Sequence, residues 1–245
     1  MEPTREVRWE YLHPKEFEAA VAECPVCYMP VGTLERHGSH LPFGLDSMKA
    51  HGLCLAAAQK HGGVVLPALH WGTHGWFAED YRHGLDYTDL PTRKQPPGTV
   101  YINEGLLMNL LNSMFREVEY AGFKVIVALT GHYPQSQVQA VKLAAQQYMV
   151  TNPVKIWALF EPELSGEVEV GSDHAGKWET SLLWGLYPDL VKMDRCPDPD
   201  TGLFLWANQT ALEASYELGC KTVAYIADQL GEGAAKLLTE YRPKE

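Results

Sequence analysis

Four side chains able to bind a metal ion lie close together early in the chain. The segment 31–46, VGTLERHGSHLPFGLD, carries Glu35, His37, His40 and Asp46 among glycines and a proline, directly after an apolar run. Glu35 and His37 are two positions apart, so their side chains point the same way in an extended segment. Imidazole and carboxylate ligands together suit divalent zinc, manganese or iron. The segment therefore predicts a metal site.

Two later segments carry the same kinds of side chain. His132 and Tyr133 follow an apolar run in LTGHYPQS, and the segment 172–181, SDHAGKWETS, contains Asp173, His174 and Glu179. In open α/β sheets, ligands bind beyond the carboxyl ends of the strands. Side chains that follow separate strands are therefore expected to meet at one edge of the sheet.

Each of these residues also has a plain structural interpretation. Asp46 suits the N-terminus of a helix, and a carboxylate at Glu179 is favoured in the first helical turn by the helix dipole. A histidine at a strand end, such as His132, is often only hydrogen-bonded. Their convergence on one sheet edge favours metal binding over these separate roles.

The elements that must position these residues alternate between strand and helix. Apolar strand patterns occur at 26–32, 63–69, 124–131 and 154–160, and helical patterns occur at 13–23, 46–61, 103–121 and 136–150. Short apolar strands separated by helices predict parallel βαβ units with helices on both faces of the sheet. The sequence therefore predicts an α/β fold.

Length and charge limit the function classes. The chain has 245 residues, 46% of them hydrophobic, so we expect a single domain over residues 1–245. A net charge of −11 argues against nucleic acids and anionic membranes as partners. There is no apolar run long enough to cross a membrane and no apolar leader, which predicts a cytoplasmic protein. The motif CPVC at 24–27 leads into a strand pattern rather than a helix, so we expect reduced cysteines.

The longest irregular stretch, residues 70–101, is rich in aromatic, histidine and aspartate side chains. A loop of this length in a compact domain is usually functional. Its aromatic residues suit a small planar or cyclic substrate, but they equally suit a contact between subunits. Its polar residues Asp80, Arg82, His83 and Asp86 suit either a polar substrate or a solvated surface. The predicted substrate contacts are Trp71, His74, Trp76, Phe77, Tyr81 and Tyr133, together with Asp173.

Three motifs, in this order, resemble those of the creatininase (creatinine amidohydrolase) family. They are ERHGSHLPFGLD, the strand-terminal TGHYPQ and DHAGKWETS. The resemblance covers residues from about 9 to 235. It implies a three-layer αβα sandwich around a mostly parallel sheet, two divalent metal ions (zinc, manganese or iron) and a homo-oligomer, commonly a hexamer.

The resemblance also implies roles for individual residues. It gives the metal ligands as Glu35, His37, Asp46, His132 and Glu179, with Asp46 bridging both ions. His174 matches the histidine thought to handle protons near the scissile bond, and we expect His40 to orient the ligands. Creatininase carries a glutamate where this chain has Pro134, which argues against creatinine as the substrate but not against metal.

The predicted activity is hydrolysis of a small cyclic amide or formamide-like C–N bond. Two ions would share a water molecule and lower its pKa towards ~7. An alternative keeps the metals but cleaves a carbon–carbon bond of a cyclic ketone such as a keto-cyclitol. A third interpretation is a metal-binding family member without catalysis, which would bind a ligand but not turn it over.

Overall fold

The computed structural model describes residues 5–74, 98–196 and 210–243. In this part of the chain four strands form one sheet: β1 (Val26–Val31), β2 (Val64–Val65), β3 (Val125–Thr130) and β4 (Lys155–Phe160). Their order is β2-β1-β3-β4 and every pair is parallel. Val31 is paired with Thr130, and Thr130 with Phe160, so β1, β3 and β4 end level with one another.

Helices cover both faces of this sheet. The described helices are α1 (Pro14–Glu23), α2 (Leu45–His61), α3 (Glu104–Tyr120), α4 (Gln135–Thr151), α5 (Lys177–Leu186) and α6 (Tyr216–Glu240). Successive side chains of a strand point to opposite faces. In β1, Tyr28 packs with α2 and α6, whereas Cys27 and Met29 pack with α1, α3 and α4. The predicted three-layer αβα arrangement is thus confirmed.

The strands are buried along their length where the sheet is central. All six residues of β1 and all six of β3 are buried, as expected for parallel strands covered on both faces. This explains why their sequences are nearly continuous apolar runs. The prediction of a single domain for the whole chain stays a prediction.

Two elements differ from the sequence-based expectation. The strand predicted at 63–69 is limited to Val64–Val65. Pro67 has no N–H for the sheet, although Leu66 and Leu69 still donate hydrogen bonds to β1. The helix α6 was not assigned from the sequence; Ser215 caps it by accepting a hydrogen bond from the Leu218 N–H.

In the described residues, no helix combines the length and apolarity needed to cross a membrane. Cys24, Cys27, Cys54 and Cys220 form no disulfide in the described part of the chain. Cys27 lies inside β1, and burial raises the pKa of its thiol.

Candidate metal centre

The first turn of α2 lies tightly against the ends of β1 and β3. A Cβ atom at Gly32 would lie 2.4 Å from the Ser47 nitrogen, and one at Gly131 would lie 2.2 Å from the Asp46 carbonyl oxygen. Any side chain at either glycine would therefore push the helix away. The two glycines that end the strands allow Asp46 to enter the site between the segments that follow β1 and β3.

Glu35, Asp46 and His132 form a first cluster. The His132 Nδ1 atom lies 3.1 Å from Glu35 Oε1 and 3.0 Å from Asp46 Oδ2. All three side chains are buried, and one ligand atom from each lies within 4.8 Å of the others. Two carboxylates and one imidazole at this spacing fit a divalent cation.

His37, Asp46 and Glu179 form a second cluster of the same composition. The His37 Nε2 atom lies 3.2 Å from Asp46 Oδ1 and 3.6 Å from Glu179 Oε2. These side chains are also buried and meet the same 4.8 Å limit. The two clusters share Asp46, whose Oδ2 faces His132 in the first cluster while its Oδ1 faces His37 in the second.

Backbone carbonyls orient both imidazole rings. The Nδ1 atom of His37 lies 3.1 Å from the Glu35 carbonyl oxygen, and the Nε2 atom of His132 lies 2.9 Å from the Thr73 carbonyl oxygen. Because a carbonyl only accepts, each of these nitrogens carries the hydrogen of the neutral ring. In the neutral ring the other nitrogen then has its lone pair directed into the cluster, as metal-binding histidines require.

The buried polar atoms at the centre fit a cation. His37 Nε2 and both carboxylate oxygens of Asp46 have no hydrogen-bond partner of good geometry within the described ranges. Leaving buried polar atoms without partners is costly. A cation between them would satisfy all three at once, so the residues present fit the metal ions that the sequence predicts.

Without a cation, the histidines must respond to the surrounding carboxylates. Burial opposes protonation, but the charges of Asp46 and Glu179 raise the pKa of His37 to about 9. Burial also opposes protonation of His132, but the charges of Glu35 and Asp46 raise its pKa to about 10. Burial also disfavours the charged form of Glu35, yet His132 lowers its pKa to about 2. The carboxylates of the centre thus attract positive charge, which protonated histidines supply in the absence of a cation.

His174 lies at the more accessible side of this centre. Its side chain is 22% exposed, against 2% or less for His37 and His132. Its ring stacks on that of His37 at 4.5 Å, its Nε2 lies 2.9 Å from the Arg36 carbonyl oxygen, and its Nδ1 lies 3.5 Å from Glu35 Oε1. With Glu35 and His37 it also forms a third group of metal-ligand geometry. A histidine that contacts both solvent and the carboxylates is well placed to carry protons.

Ala175 adopts a left-handed backbone conformation, with a φ of 56°. Such conformations cost energy for residues other than glycine and concentrate at functional sites. Here the turn directs the Ala175 N–H at Glu179 Oε2, at 2.8 Å. The strained residue therefore helps to aim one oxygen of a predicted ligand.

Three buried or half-buried residues around the centre were missed by sequence reasoning. Lys49 is fully buried and donates from Nζ to Glu179 Oε1 at 2.9 Å and to the Tyr133 hydroxyl at 2.6 Å. Glu161 is fully buried 3.9 Å from the same ammonium. The Tyr101 hydroxyl donates a short hydrogen bond to Glu35 Oε2. Glu161 directly follows β4, so the rule about strand ends could have found it. Tyr101 lies at the end of the aromatic stretch 70–101, which was the signal for it.

The remaining predicted residues have varied surroundings. His40 is buried and its Nε2 lies 3.0 Å from the hydroxyl of Thr180, the neighbour of Glu179. Asp173 accepts hydrogen bonds from the N–H groups of Trp178 and Glu179 at the start of α5, as a helix cap does. A role for Asp173 in binding substrate stays a prediction.

The irregular stretch 70–101, called the aromatic loop below, is described only at 70–74 and 98–101. Trp71 is 51% exposed, and the ring of His74 lies 4.9 Å from that of Tyr101. Thr73 and His74 are tied to the start of α4 through Ser136, whose hydroxyl bonds the Thr73 hydroxyl and the His74 carbonyl. The predicted contacts Trp76, Phe77 and Tyr81, and the polar residues Asp80, Arg82, His83 and Asp86, lie outside the described residues.

Comparison with known proteins points to one group of hydrolases. The family model "Creatininase: Creatinine amidohydrolase" matches residues 10–224. Creatinine amidohydrolase of Pseudomonas putida is 30% identical over 212 residues, which are 78% of this chain and 75% of that protein. The 3-dehydro-scyllo-inosose hydrolase of Thermotoga maritima is 24% identical over 84% of this chain and 64% of its own length.

The solved structures that resemble this chain include those of the same family. A crystal structure of creatinine amidohydrolase superimposes with a TM-score of 0.75 at 25% identity, covering 98% of this chain and all of the other. A manganese form of creatininase gives a TM-score of 0.73 at 25% identity with the same coverage. The chain therefore has the fold of creatininase, for which a manganese form has been solved.

Proposed function

This chain belongs to the creatininase family of hydrolases, and on that premise we propose that it hydrolyses a cyclic amide or formamide-like C–N bond of a small molecule with two divalent metal ions. The hydrolase assignment follows from the family match and the structural similarity. The groups of metal-ligand geometry support metal binding. The number of ions and the type of bond are the proposal.

One observation carries the proposal of two ions. The Asp46 carboxylate has one oxygen 3.2 Å from His37 and the other 3.0 Å from His132, and neither oxygen has a hydrogen-bond partner of good geometry among the described residues. A carboxylate in this position suits two cations, one per oxygen. Glu35 and His132 would complete the first cluster, and His37 and Glu179 the second.

The chemistry divides between the ions and the chain. Bound divalent ions would supply a Lewis acid for the substrate carbonyl and a water molecule of lowered pKa. The leaving nitrogen needs a proton, and His174 would supply it because its Nδ1 faces Glu35 while its ring remains partly exposed. The Arg36 carbonyl, which accepts from Nε2, would hold the ring in that orientation.

Substrate contacts are proposed at the open side of the centre. His74 supports this because its ring contacts that of Tyr101, a neighbour of Glu35, and Tyr133 supports it because its hydroxyl contacts Lys49. Trp71 is proposed because its side chain is half exposed. We extend this role to Trp76 and Asp173 on the sequence argument alone. A small molecule is the partner that such a buried centre suits.

A second candidate reaction is cleavage of a carbon–carbon bond in a cyclic ketone. It is favoured by the relative from Thermotoga maritima, whose name describes the hydrolysis of a keto-cyclitol. Pro134 argues against creatinine as the substrate, which leaves room for a different carbonyl compound. The same hydroxide attack on a carbonyl would serve both reactions.

Elemental analysis followed by a substrate panel tests this function. We expect about two divalent ions per chain, as in other two-metal hydrolases, and turnover of one class among lactams, formamides and keto-cyclitols. His174→Asn should keep the metal content and lose turnover by about 10²–10⁴-fold, the contribution typical of a positioned proton donor. Protein without bound metal, or full activity of this variant, would contradict the proposal.

The assembly and the location of the protein are further proposals. We propose a homo-oligomer, a hexamer by resemblance to the family, acting in the cytoplasm. Sedimentation velocity of the purified chain tests the assembly, and a single species at the monomer mass would contradict it.

A further inference from the structure

We propose that Lys49 is a positioning residue of the metal centre: its buried ammonium holds Glu179 Oε1 away from the second cluster and weakens cation binding there. Lys49 belongs to neither predicted ligand set. It lies three positions after Asp46 on α2, so both side chains share one face of that helix. The same helix therefore brings a ligand and a fixed positive charge to the site.

The two carboxylate oxygens of Glu179 have different partners, because Lys49 binds only one of them. Oε1 accepts from the Lys49 ammonium at 2.9 Å, while Oε2 accepts from the Ala175 N–H at 2.8 Å and lies 3.6 Å from His37 Nε2. Only Oε2 thus faces the second cluster. Glu179 is held as a ligand with one available oxygen.

The ammonium is itself fixed from a further direction. Its Nζ donates to the Tyr133 hydroxyl at 2.6 Å and lies 4.1 Å from the centre of the Tyr133 ring. Contact with the ring face is favourable for a cation. The position of the positive charge is therefore set by the end of β3 as well as by Glu179.

Glu161 supplies the charge that partly offsets this ammonium. Its carboxylate is fully buried 3.9 Å from Nζ, and neither of its oxygens has a hydrogen-bond partner of good geometry in the described part of the chain. Like charges repel more strongly in a buried site than in water. Lys49 should therefore oppose a cation beside Glu179, and Glu161 should reduce that opposition.

Two substitutions that keep the side chain at a similar length should shift metal affinity in opposite directions. Lys49→Met removes the repelling charge and frees Oε1, so the second ion should bind more tightly by about tenfold, the scale of effects from partners of metal ligands. Glu161→Gln leaves the ammonium less compensated, so the second ion should bind more weakly by about the same factor. A purely structural role would weaken binding in both variants.

The measurement is calorimetric titration of the chelator-stripped full chain with Zn²⁺ at about pH 8, above the pKa of about 7 to which burial raises Glu161. The buried Thr222→Val, in α6, serves as the control for loss of a buried polar group and should leave both affinities unchanged. Thermal unfolding of each variant confirms that it is folded. If Lys49→Met does not fold, Lys49→Gln takes its place: it removes the charge but keeps a group that can donate to Glu179, so the second ion should again bind more tightly, whereas a purely structural role predicts weaker binding.

This inference rests on the proposed two-ion site, and its failure can be told apart from failure of that site. If the wild-type chain binds no ion or one ion, the two-ion proposal fails. If it binds two ions but both variants weaken binding, or neither changes it, the role of Lys49 is refuted while the two-ion site stands. Tighter binding in Lys49→Met with weaker binding in Glu161→Gln supports the role of Lys49.

Discussion

The two clusters that share Asp46 have the same ligand types but different support. In the first cluster, Glu35 accepts a hydrogen bond from the neutral hydroxyl of Tyr101. In the second cluster, Glu179 is bound by the ammonium of Lys49. The Glu35 carboxylate is thus hydrogen-bonded to an uncharged hydroxyl, whereas the Glu179 carboxylate is bound to a full positive charge.

This difference shows that a ligand set does not by itself fix the affinity of a metal site. Groups behind the ligands decide how much negative charge a ligand can offer to a cation. We therefore expect the first cluster to bind its ion more tightly than the second. Substitutions in the shared and separate ligands test that ranking.

The largest effect is expected from Asp46→Asn, because Asp46 is common to both clusters. Both ions should be lost, with metal binding weakened by more than the ~100-fold that loss of a supporting partner costs, and turnover should disappear. Metal content by elemental analysis and activity measure this. The exposed Asp189→Asn is the matched control and should change neither. An Asp46→Asn protein that keeps two ions would show that the clusters do not depend on a shared carboxylate.

Substitutions in one cluster at a time should separate the two affinities. Glu35→Gln and Glu179→Gln should each leave one ion per chain. We expect the ion retained by Glu179→Gln, in the first cluster, to bind about tenfold more tightly than the ion retained by Glu35→Gln. Competition with a chromophoric chelator measures both. Equal affinities, or the opposite order, would remove the distinction between the clusters.

The metal-free protein should lose stability as the pH rises. The raised pKa values of His37 and His132, about 9 and about 10, mean that protonation stabilises the folded state. That contribution is fully present below the unfolded-state pKa of about 6.5 and is lost as the pH rises through the folded-state values. We expect the free energy of unfolding to fall by roughly 3 kcal/mol or more, since each tenfold change in proton affinity between the folded and unfolded states corresponds to about 1.4 kcal/mol.

Urea unfolding of the chelator-stripped chain from about pH 6.5 to about pH 10 measures this. Metal-free Asp46→Asn is the control, because it removes a charge that raises both pKa values and should flatten the decline. A profile that is flat in the unmodified chain would show that the histidines are not protonated by their carboxylate neighbours.

The smallest effect is expected from Tyr101→Phe, which removes the neutral support of the first cluster. Loss of a group that supports a metal ligand costs at least about tenfold in affinity, and because Tyr101 is uncharged we expect the first ion to bind more weakly by about that factor. Tyr148→Phe is the matched control, because the Tyr148 hydroxyl also donates to a carboxylate, that of Glu119, between α3 and α4. Calorimetric titration with Zn²⁺ should show a change in affinity only for Tyr101→Phe.

Most of the fold could be predicted from the sequence, because buried parallel strands are continuous apolar runs and helices have their own period. The strand predicted at 63–69 was too long because Pro67 cannot donate to the sheet. Helix α6, with its capping Ser215, was overlooked.

The predicted ligands were found together for a reason that the sequence also contains. Glu35, His37 and His132 follow strands, and Asp46 begins a helix, so the parallel topology carries them to one edge. Lys49 was not predicted as part of the site because a lysine on a helix is usually exposed to solvent. Nothing in its neighbours along the chain shows that it is buried.

The sequence by itself determined the α/β fold, the strand ends that carry the ligands and the family motifs, because these depend on local patterns and on the rule that parallel strands end at one edge. Only the tertiary structure decided that Asp46 divides its oxygens between two clusters and that Lys49 and Glu161 lie behind Glu179. Those facts depend on distances between segments far apart in the chain. Such distances are set by packing, for which the order of residues gives no direct signal.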